Sequence, residues 1–88
     1  MELKQMEYFK EIADTGSINE AARRLHMSQP PLSYQMHQLE EELGVRLFER
    51  TKKGVSLTAA GKLLYQHTER ILDYVRSAAI EVSNAGKK

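Results

Sequence analysis

The chain has 88 residues, 41% of them apolar, and no cysteine, which suits one small domain and excludes a disulfide scaffold and thiol chemistry. Its formal net charge of +1 does not by itself indicate a nucleic-acid partner, so any electrostatic argument depends on where the charges sit. No segment has the length needed to cross a bilayer and no cleavable leader opens the chain, so we expect a cytoplasmic protein without a membrane partner.

Two amphipathic helices are predicted at the start of the chain. Apolar residues recur at helical spacing over residues 3–13, and Gly16 can end that helix in the left-handed conformation. The run Ser17-Ile18-Asn19-Glu20 matches a capping box and predicts a short second helix from Ile18. The small side chains of Ala21 and Ala22 predict that another helix crosses it closely.

A third helix is predicted within residues 28–43, after a short turn at His26-Met27. Its apolar residues follow spacings of four, three and four and so share one side. Its other side is polar, and from the residues alone this side can face water, another protein or nucleic acid. The polar side and its flanks carry Gln29, Pro30, Ser33, Tyr34, His37, Gln38 and Glu41.

The two ends of this third helix differ in charge. Ser28 is expected to cap its start, where Pro30 and Pro31 cost little because first-turn amides lack intrahelical partners. The other end carries Glu40-Glu41-Glu42, which we interpret as a solvated face that lies away from any phosphate. If the partner is nucleic acid, the first half of the helix is therefore the half that contacts it.

A basic hairpin and a long helix complete the predicted pattern. Residues 46–50 and 55–57 are predicted to form two strands joined by a turn at 51–54. Thr58 can cap a last helix that runs to about Asn84, which would be ~40 Å long. Residues 57–64 are expected to pack on their own domain and residues 71–82 to contact a second copy. The residues assigned to dimerisation are Leu64, Thr68, Ile71, Leu72, Val75, Ala78 and Val82.

This order of elements predicts a mainly α fold: a winged helix-turn-helix over residues 1–57, followed by a long dimerisation linker helix over 58–88. The major groove of duplex DNA is about 12 Å wide and admits one α-helix. Arg50, Lys52 and Lys53 at the wing could reach the adjacent backbone or minor groove. Ser28 and the start of the third helix could bind phosphate through free amides.

Several runs of residues, in the same order along nearly the whole chain, resemble the N-terminal DNA-binding domain of LysR-type bacterial transcriptional regulators. The opening Leu3-Lys4-Gln5-Met6-Glu7-Tyr8-Phe9 is similar to the start of that family. The other runs are Ala21-Ala22, Leu25, Ser28-Gln29-Pro30, Leu32-Ser33, Gln35, Leu39-Glu40, Leu43-Gly44, Leu47-Phe48-Glu49-Arg50 and Leu57-Thr58-Ala59-Ala60-Gly61.

The resemblance implies a homodimer, joined through the linker helix, that binds an interrupted palindromic operator in double-stranded DNA at promoters. It also implies a C-terminal domain that senses a small-molecule effector, and tetramers of the full-length protein. That domain is not in this chain, which resembles a DNA-binding fragment.

The family's pattern places Gln29, Pro30, Ser33 and residue 34 in the groove, and Arg50 and Lys53 in the wing contacts. The family often has Arg at position 34, where this chain has Tyr34, which can touch a thymine methyl or donate to a phosphate instead. The complete set of candidate DNA-binding residues is Gln5, Ser28, Gln29, Pro30, Pro31, Ser33, Tyr34, His37, Arg50, Lys52 and Lys53.

Two other classes of function compete with DNA binding. In the first, the chain is a protein-interaction module and the long helix is its functional element. In the second, it is an enzyme, which we disfavour because the sequence has no nucleophile–base pair and no glycine-rich phosphate loop. His26, His37 and His67 lack metal-ligand spacing, so we expect neither a metal nor another cofactor.

Overall fold

A computed structural model describes residues 1–87 as four helices and a two-stranded antiparallel sheet. In chain order the elements are α1 (Leu3–Thr15), α2 (Ile18–Arg24), α3 (Gln29–Leu43), β1 (Phe48–Thr51), β2 (Gly54–Leu57) and α4 (Ala59–Ala85). This is the predicted winged helix-turn-helix followed by a long helix. Lys88, the last residue of the predicted linker segment, lies outside the described residues.

The core lies where α1, α2 and α3 meet the base of the wing. The rings of Phe9 in α1 and Phe48 in β1 pack at a centroid distance of 5.2 Å, which joins the helical part to the wing. The rest of this core consists of side chains that bury the apolar sides of the helices. These residues are Ile12, Ala21, Ala22, Leu32, Met36, Leu39, Leu47 and Leu64.

The predicted close approach of α2 and the short turn after it are confirmed. Ala21 and Ala22 are 0% and 3% exposed, so no side-chain bulk separates α2 from its neighbours. His26 has a φ of 57°, a conformation that a non-glycine residue rarely adopts. The N–H of Met27 then donates to the carbonyl of Ala22 over 3.0 Å, which fixes the direction in which α3 begins.

The wing differs from its predicted bounds. Its strands pair Phe48 with Leu57 at one end and Thr51 with Gly54 at the other, so the loop holds only two residues, Lys52 and Lys53. Arg46 and Leu47, predicted to be strand residues, lie outside the ladder. Both backbone groups of Leu47 and the carbonyl of Arg46 are bonded to Glu40 and Thr58 instead of to a strand partner.

The long helix α4 packs on the domain only with its first three turns. The Thr58 hydroxyl accepts the N–H of Gly61 over 3.0 Å and caps the helix as predicted. Leu64 is 8% and Thr68 0% exposed within the single chain, so neither has surface to offer a second copy. Within the single chain both side chains pack α4 on its own domain, which agrees with the packing expected for residues 57–64, and their assignment to dimerisation stays a prediction.

A polar contact between α1 and α4 fixes the start of the long helix. The Tyr65 hydroxyl donates to the Asp14 carboxylate, and Lys10 Nζ lies 2.8 Å from Asp14 Oδ2. Burial alone would raise the pKa of Asp14, but these two hydrogen bonds outweigh it and hold that pKa below its ordinary value. This contact therefore stabilises the fold above the ordinary carboxyl pKa of about 3.9 and is lost in acid.

Candidate nucleic-acid interface

The side of α3 that faces solvent is determined by the side that is buried. Leu32 and Leu39 are 0% exposed, and Met36 is 4% exposed. Tyr34 lies opposite this stripe and is 59% exposed, so an aromatic ring stands out from the middle of the helix. The predicted contact residues at positions 30, 31 and 37 are also exposed, while those at 29 and 33 are half-buried.

Two of the candidate DNA-binding residues on α3 are hydrogen-bonded to each other. Gln29 Nε2 donates to Ser33 Oγ over 2.6 Å, one helical turn away. An amide nitrogen carries two hydrogens, so Gln29 keeps one donor and its Oε1 acceptor for a partner. A glutamine that offers one donor and one acceptor can pair with adenine N7 and N6 in the major groove. The Ser33 hydroxyl therefore holds this amide in one orientation.

The start of α3 departs from the prediction in two respects. Ser28 occupies the cap position, but within the described residues its hydroxyl makes no capping hydrogen bond. Pro30 and Pro31 occupy the first turn and have no N–H, so two of the amides that could hold a phosphate do not exist. Ser28 is exposed, and its hydroxyl and the Gln29 amide are the polar groups available there.

Gln5 lies behind the outward, polar side of α3. It is 9% exposed, its Nε2 donates to Gln35 Oε1 over 3.3 Å, and its Oε1 accepts the N–H of Glu2 over 3.0 Å. Both ends of its amide are thus bonded within the chain, and a contact from Gln5 to DNA stays a prediction. Its contribution is to join α1 to the flank of α3.

The wing brings its basic side chains alongside α3. A groove of about 260 Å³ separates the two, and Arg50 of β1 lines it together with Ser33 and His37 of α3. Arg50, Lys52 and Lys53 are all exposed, and the two lysines form the tip of the wing. The arrangement presents hydrogen-bonding groups on a helix and positive charge beside it.

The acidic end of α3 is not the uniform solvated face that we predicted. Glu41 is exposed, but the side chain of Glu40 is only 16% exposed, and its Oε2 accepts the N–H of Leu47 over 2.7 Å. Glu42 binds the N-terminal amine of Met1. The sequence contains one signal for Glu40: it follows the buried Leu39 on the edge of the apolar stripe, where a carboxylate can reach the next segment.

Across residues 1–87 no three His, Cys, Asp or Glu side chains come together in a way that could hold a metal ion. Within the same residues no helix is both long enough and apolar enough to cross a membrane.

The outer part of α4 presents apolar side chains to solvent. Val75 is 42% and Val82 72% exposed, while Ile71, Leu72 and Ala78 on the same side are half-buried. The chain extends 54 Å along its longest axis against 26 and 20 Å across, because this helix continues beyond the domain. These five of the seven predicted dimerisation residues therefore remain accessible to a partner.

Residues 3–62 match the family described as bacterial regulatory helix-turn-helix proteins, lysR family. ClcR, an HTH-type transcriptional regulator of Pseudomonas putida, is 53% identical over 72 residues, which are 82% of this chain and 24% of ClcR. The chain thus spans about a quarter of that relative's length.

Two solved complexes have the same fold over the whole of this chain. The CbnR_DBD-DNA complex matches with a TM-score of 0.93 at 41% identity and covers 99% of this chain and 100% of that one. The BenM_DBD/catB site 1 DNA complex matches with a TM-score of 0.96 at 35% identity and covers 100% of this chain and 99% of that one.

Proposed function

The chain belongs to the lysR family of bacterial regulatory helix-turn-helix proteins, and on that basis we propose that it binds double-stranded DNA sequence-specifically at promoters. It acts as the DNA-binding module of a larger transcriptional regulator, as a binding protein and not as an enzyme. Because promoter DNA is its partner, it works in the bacterial cytoplasm. The curated relatives that it matches include transcriptional regulators such as ClcR.

One observation carries this proposal above the others: Ser33 and His37 of α3 line the same groove as Arg50 of the wing. Gln29 and Tyr34 on the helix supply groups for base edges, and a bidentate amide contact discriminates one base from another. Arg50 in this groove and the exposed Lys53 at the wing tip supply charge for the phosphates, which adds affinity without sequence preference. A helix in the major groove with an adjacent wing on the backbone accounts for both sets of side chains.

Each of the candidate contacts on the wing and on α3 with its cap has a place in this proposal. Pro30 and the Tyr34 ring give apolar surface that suits a thymine methyl, while Ser33 holds the Gln29 amide. The remaining candidates that face solvent serve the flanks and the backbone. They are Ser28, Pro31, His37 and Lys52.

Residues 1–57 form the part that binds DNA, and the helix that follows joins two copies. The exposed seam at Ile71, Leu72, Val75, Ala78 and Val82 supports this division, because a helix of 27 residues needs something to cover its outer half. A twofold dimer presents two α3 helices and so requires a roughly palindromic operator. In the full-length protein we propose a further C-terminal domain that takes a small-molecule effector, and assembly into tetramers.

The test is to select binding sites for this chain from a random pool of duplexes and then compare affinities by electrophoretic mobility. We expect an interrupted palindrome to be enriched and to bind at least ~10³-fold more tightly than a random duplex, as specific DNA-binding proteins do. A chain that dimerises but binds the selected and random duplexes equally would contradict the proposal and favour the protein-interaction module.

A further inference from the structure

Glu40 is an acidic residue in a groove that, under the proposed function, faces DNA. We infer that it is a positioning residue for DNA recognition: it holds the wing at a fixed place beside α3 without itself touching DNA. This inference rests on the proposed function, since it concerns how the helix and the wing act on one site.

Glu40 terminates α3 through both its main chain and its side chain. Its carbonyl oxygen accepts the N–H of Gly44 over 2.8 Å and that of Val45 over 3.3 Å. Its side chain reaches one step further along the chain, where Oε2 accepts the N–H of Leu47 over 2.7 Å. One residue therefore fixes the path of the backbone from the end of α3 to the residue before the wing.

Leu47 depends on this carboxylate. It is 1% exposed, and it lies just outside the ladder that begins with Phe48, so its N–H has no strand partner. A buried N–H that loses its acceptor is destabilising, so it moves until it finds another acceptor. On its other side, the Leu47 carbonyl accepts the N–H of Thr58 over 3.0 Å. The start of the wing is thus held between α3 and the start of α4.

The place of Glu40 in the groove argues for this role. Glu40 lines the same groove as Ser33, His37 and Arg50. A negative charge on a surface that approaches phosphates weakens binding, so affinity alone would not favour an acid there. The exposed Arg46, whose Nε lies 4.0 Å from Glu40 Oε2, offsets part of that charge. The carboxylate instead fixes the position of the wing relative to α3, the helix that reads the bases.

The experiment is a double-mutant cycle between Glu40 and the wing tip. Affinity for the selected operator is measured for the wild type, Lys53→Ala, Glu40→Ala and the double variant. Lys53→Ala should weaken the wild type roughly fivefold, as loss of one phosphate contact would. In the Glu40→Ala background the same change should cost less than about twofold, because a wing that is not held in place no longer delivers Lys53 to the phosphate.

Two further variants distinguish the length of the side chain at position 40 from its charge, and a measurement on the free protein reports the Leu47 hydrogen bond directly. Glu40→Gln removes the charge but keeps an acceptor at the same distance, so the full Lys53 effect should remain. Glu40→Asp keeps the charge but is one methylene shorter, so it should behave like Glu40→Ala. Hydrogen exchange of the Leu47 amide, followed by NMR on the free protein, should accelerate at least tenfold in the Ala and Asp variants and remain unchanged in the Gln variant.

The outcomes separate this inference from the proposed function. If Lys53→Ala costs the same factor with and without Glu40, or if the Leu47 amide exchanges equally in all variants, Glu40 does not position the wing, although DNA binding stands. If the wild type does not prefer the selected operator, the proposed function is wrong and the inference falls with it.

Discussion

The backbone of Gly61 in α4 lies against the carbonyl of Leu47 at the start of the wing, so close that a Cβ at position 61 would fall 2.2 Å from the carbonyl oxygen. Only a residue without a side chain permits this approach. The contact brings the first turn of the long helix to the same backbone segment that Glu40 holds from the other side.

Gly61→Ala should therefore destabilise the chain, although alanine favours a helix over glycine by about 1 kcal/mol. We expect the free energy of unfolding, measured by urea denaturation, to fall by about 1–3 kcal/mol because the backbone must shift. Gly86→Ala is the matched control, since a Cβ there meets only the carbonyls of Ser83 and Val82 at 3.7 Å. Equal stability of the Gly61→Ala variant and the wild type would contradict the close approach.

A substitution at Thr68 should raise the free energy of unfolding instead of lowering it. Its hydroxyl is fully buried and, among the described residues, has no hydrogen-bond partner. Thr68→Val keeps the shape and removes the unpaired group, so the free energy of unfolding should rise by about 1 kcal/mol. Thr68→Ser keeps the hydroxyl and removes the methyl group, and should lower it by about 1 kcal/mol. Thermal unfolding of the three proteins would decide, and a less stable Val variant would mean that the hydroxyl has a partner.

The exposed seam on α4 can be tested with one valine and one isoleucine that lie on different sides of the helix. Val82→Glu should make the chain monomeric, because a twofold interface would bury two unpaired carboxylates. Ile80→Glu is the control: Ile80 is 60% exposed, comparable to 72% for Val82, but lies about 160° away around the helix. Sedimentation equilibrium should show dissociation for the first variant only. The same oligomeric state in the two variants would contradict the assignment of the dimer interface to the side of α4 that carries Val82.

Lys53 should contribute to binding of every DNA sequence. Lys53→Ala removes a charge at the wing tip, so it should weaken selected and random duplexes alike and reduce the slope of log affinity against log salt by about one. Lys87→Ala removes another exposed charge, at the far end of the described chain, and should leave the slope unchanged. A slope that does not respond to Lys53→Ala would remove this residue from the phosphate contacts.

Gln29 should contribute to specificity instead. Gln29→Ala should cost ~1–3 kcal/mol on the selected operator and much less on a random duplex. Ser33→Ala leaves the amide in place but frees it to rotate, so it should cost a smaller amount with the same preference for the selected operator. Fluorescence anisotropy titrations on both duplexes would measure this difference. Equal losses on the two duplexes would assign Gln29 to the DNA backbone.

Local patterns in the sequence were sufficient to predict the elements of this fold. The spacing of Leu32, Met36 and Leu39 defined the buried side of α3 and therefore its outward side, and Gly16 and Thr58 marked helix ends. The resemblance to a family added the reading residues, which periodicity alone left open among water, protein and DNA.

The contacts that the sequence did not predict join parts of the chain that are distant in sequence. Thr68 follows the same spacing as the apolar residues further along α4. It is nevertheless buried within the single chain, because this part of α4 packs on α1. Glu40 sits among three acids that are alike in sequence, and it differs from its neighbours because the Leu47 amide lies within its reach. Gln5 is bonded to Gln35, thirty residues later. Spacing along one helix contains no information about such partners.

The exposed Tyr34 has a consequence for how this chain can change. Its side chain, like those of Pro30 and His37, lies outside the core, so replacing it should alter stability by no more than about 0.5 kcal/mol. Under the proposed function, the same replacements would change which bases are preferred. Operator preference can therefore evolve, or be redesigned, through substitutions that folding tolerates, and the scaffold needs no compensating mutation when a new target is acquired.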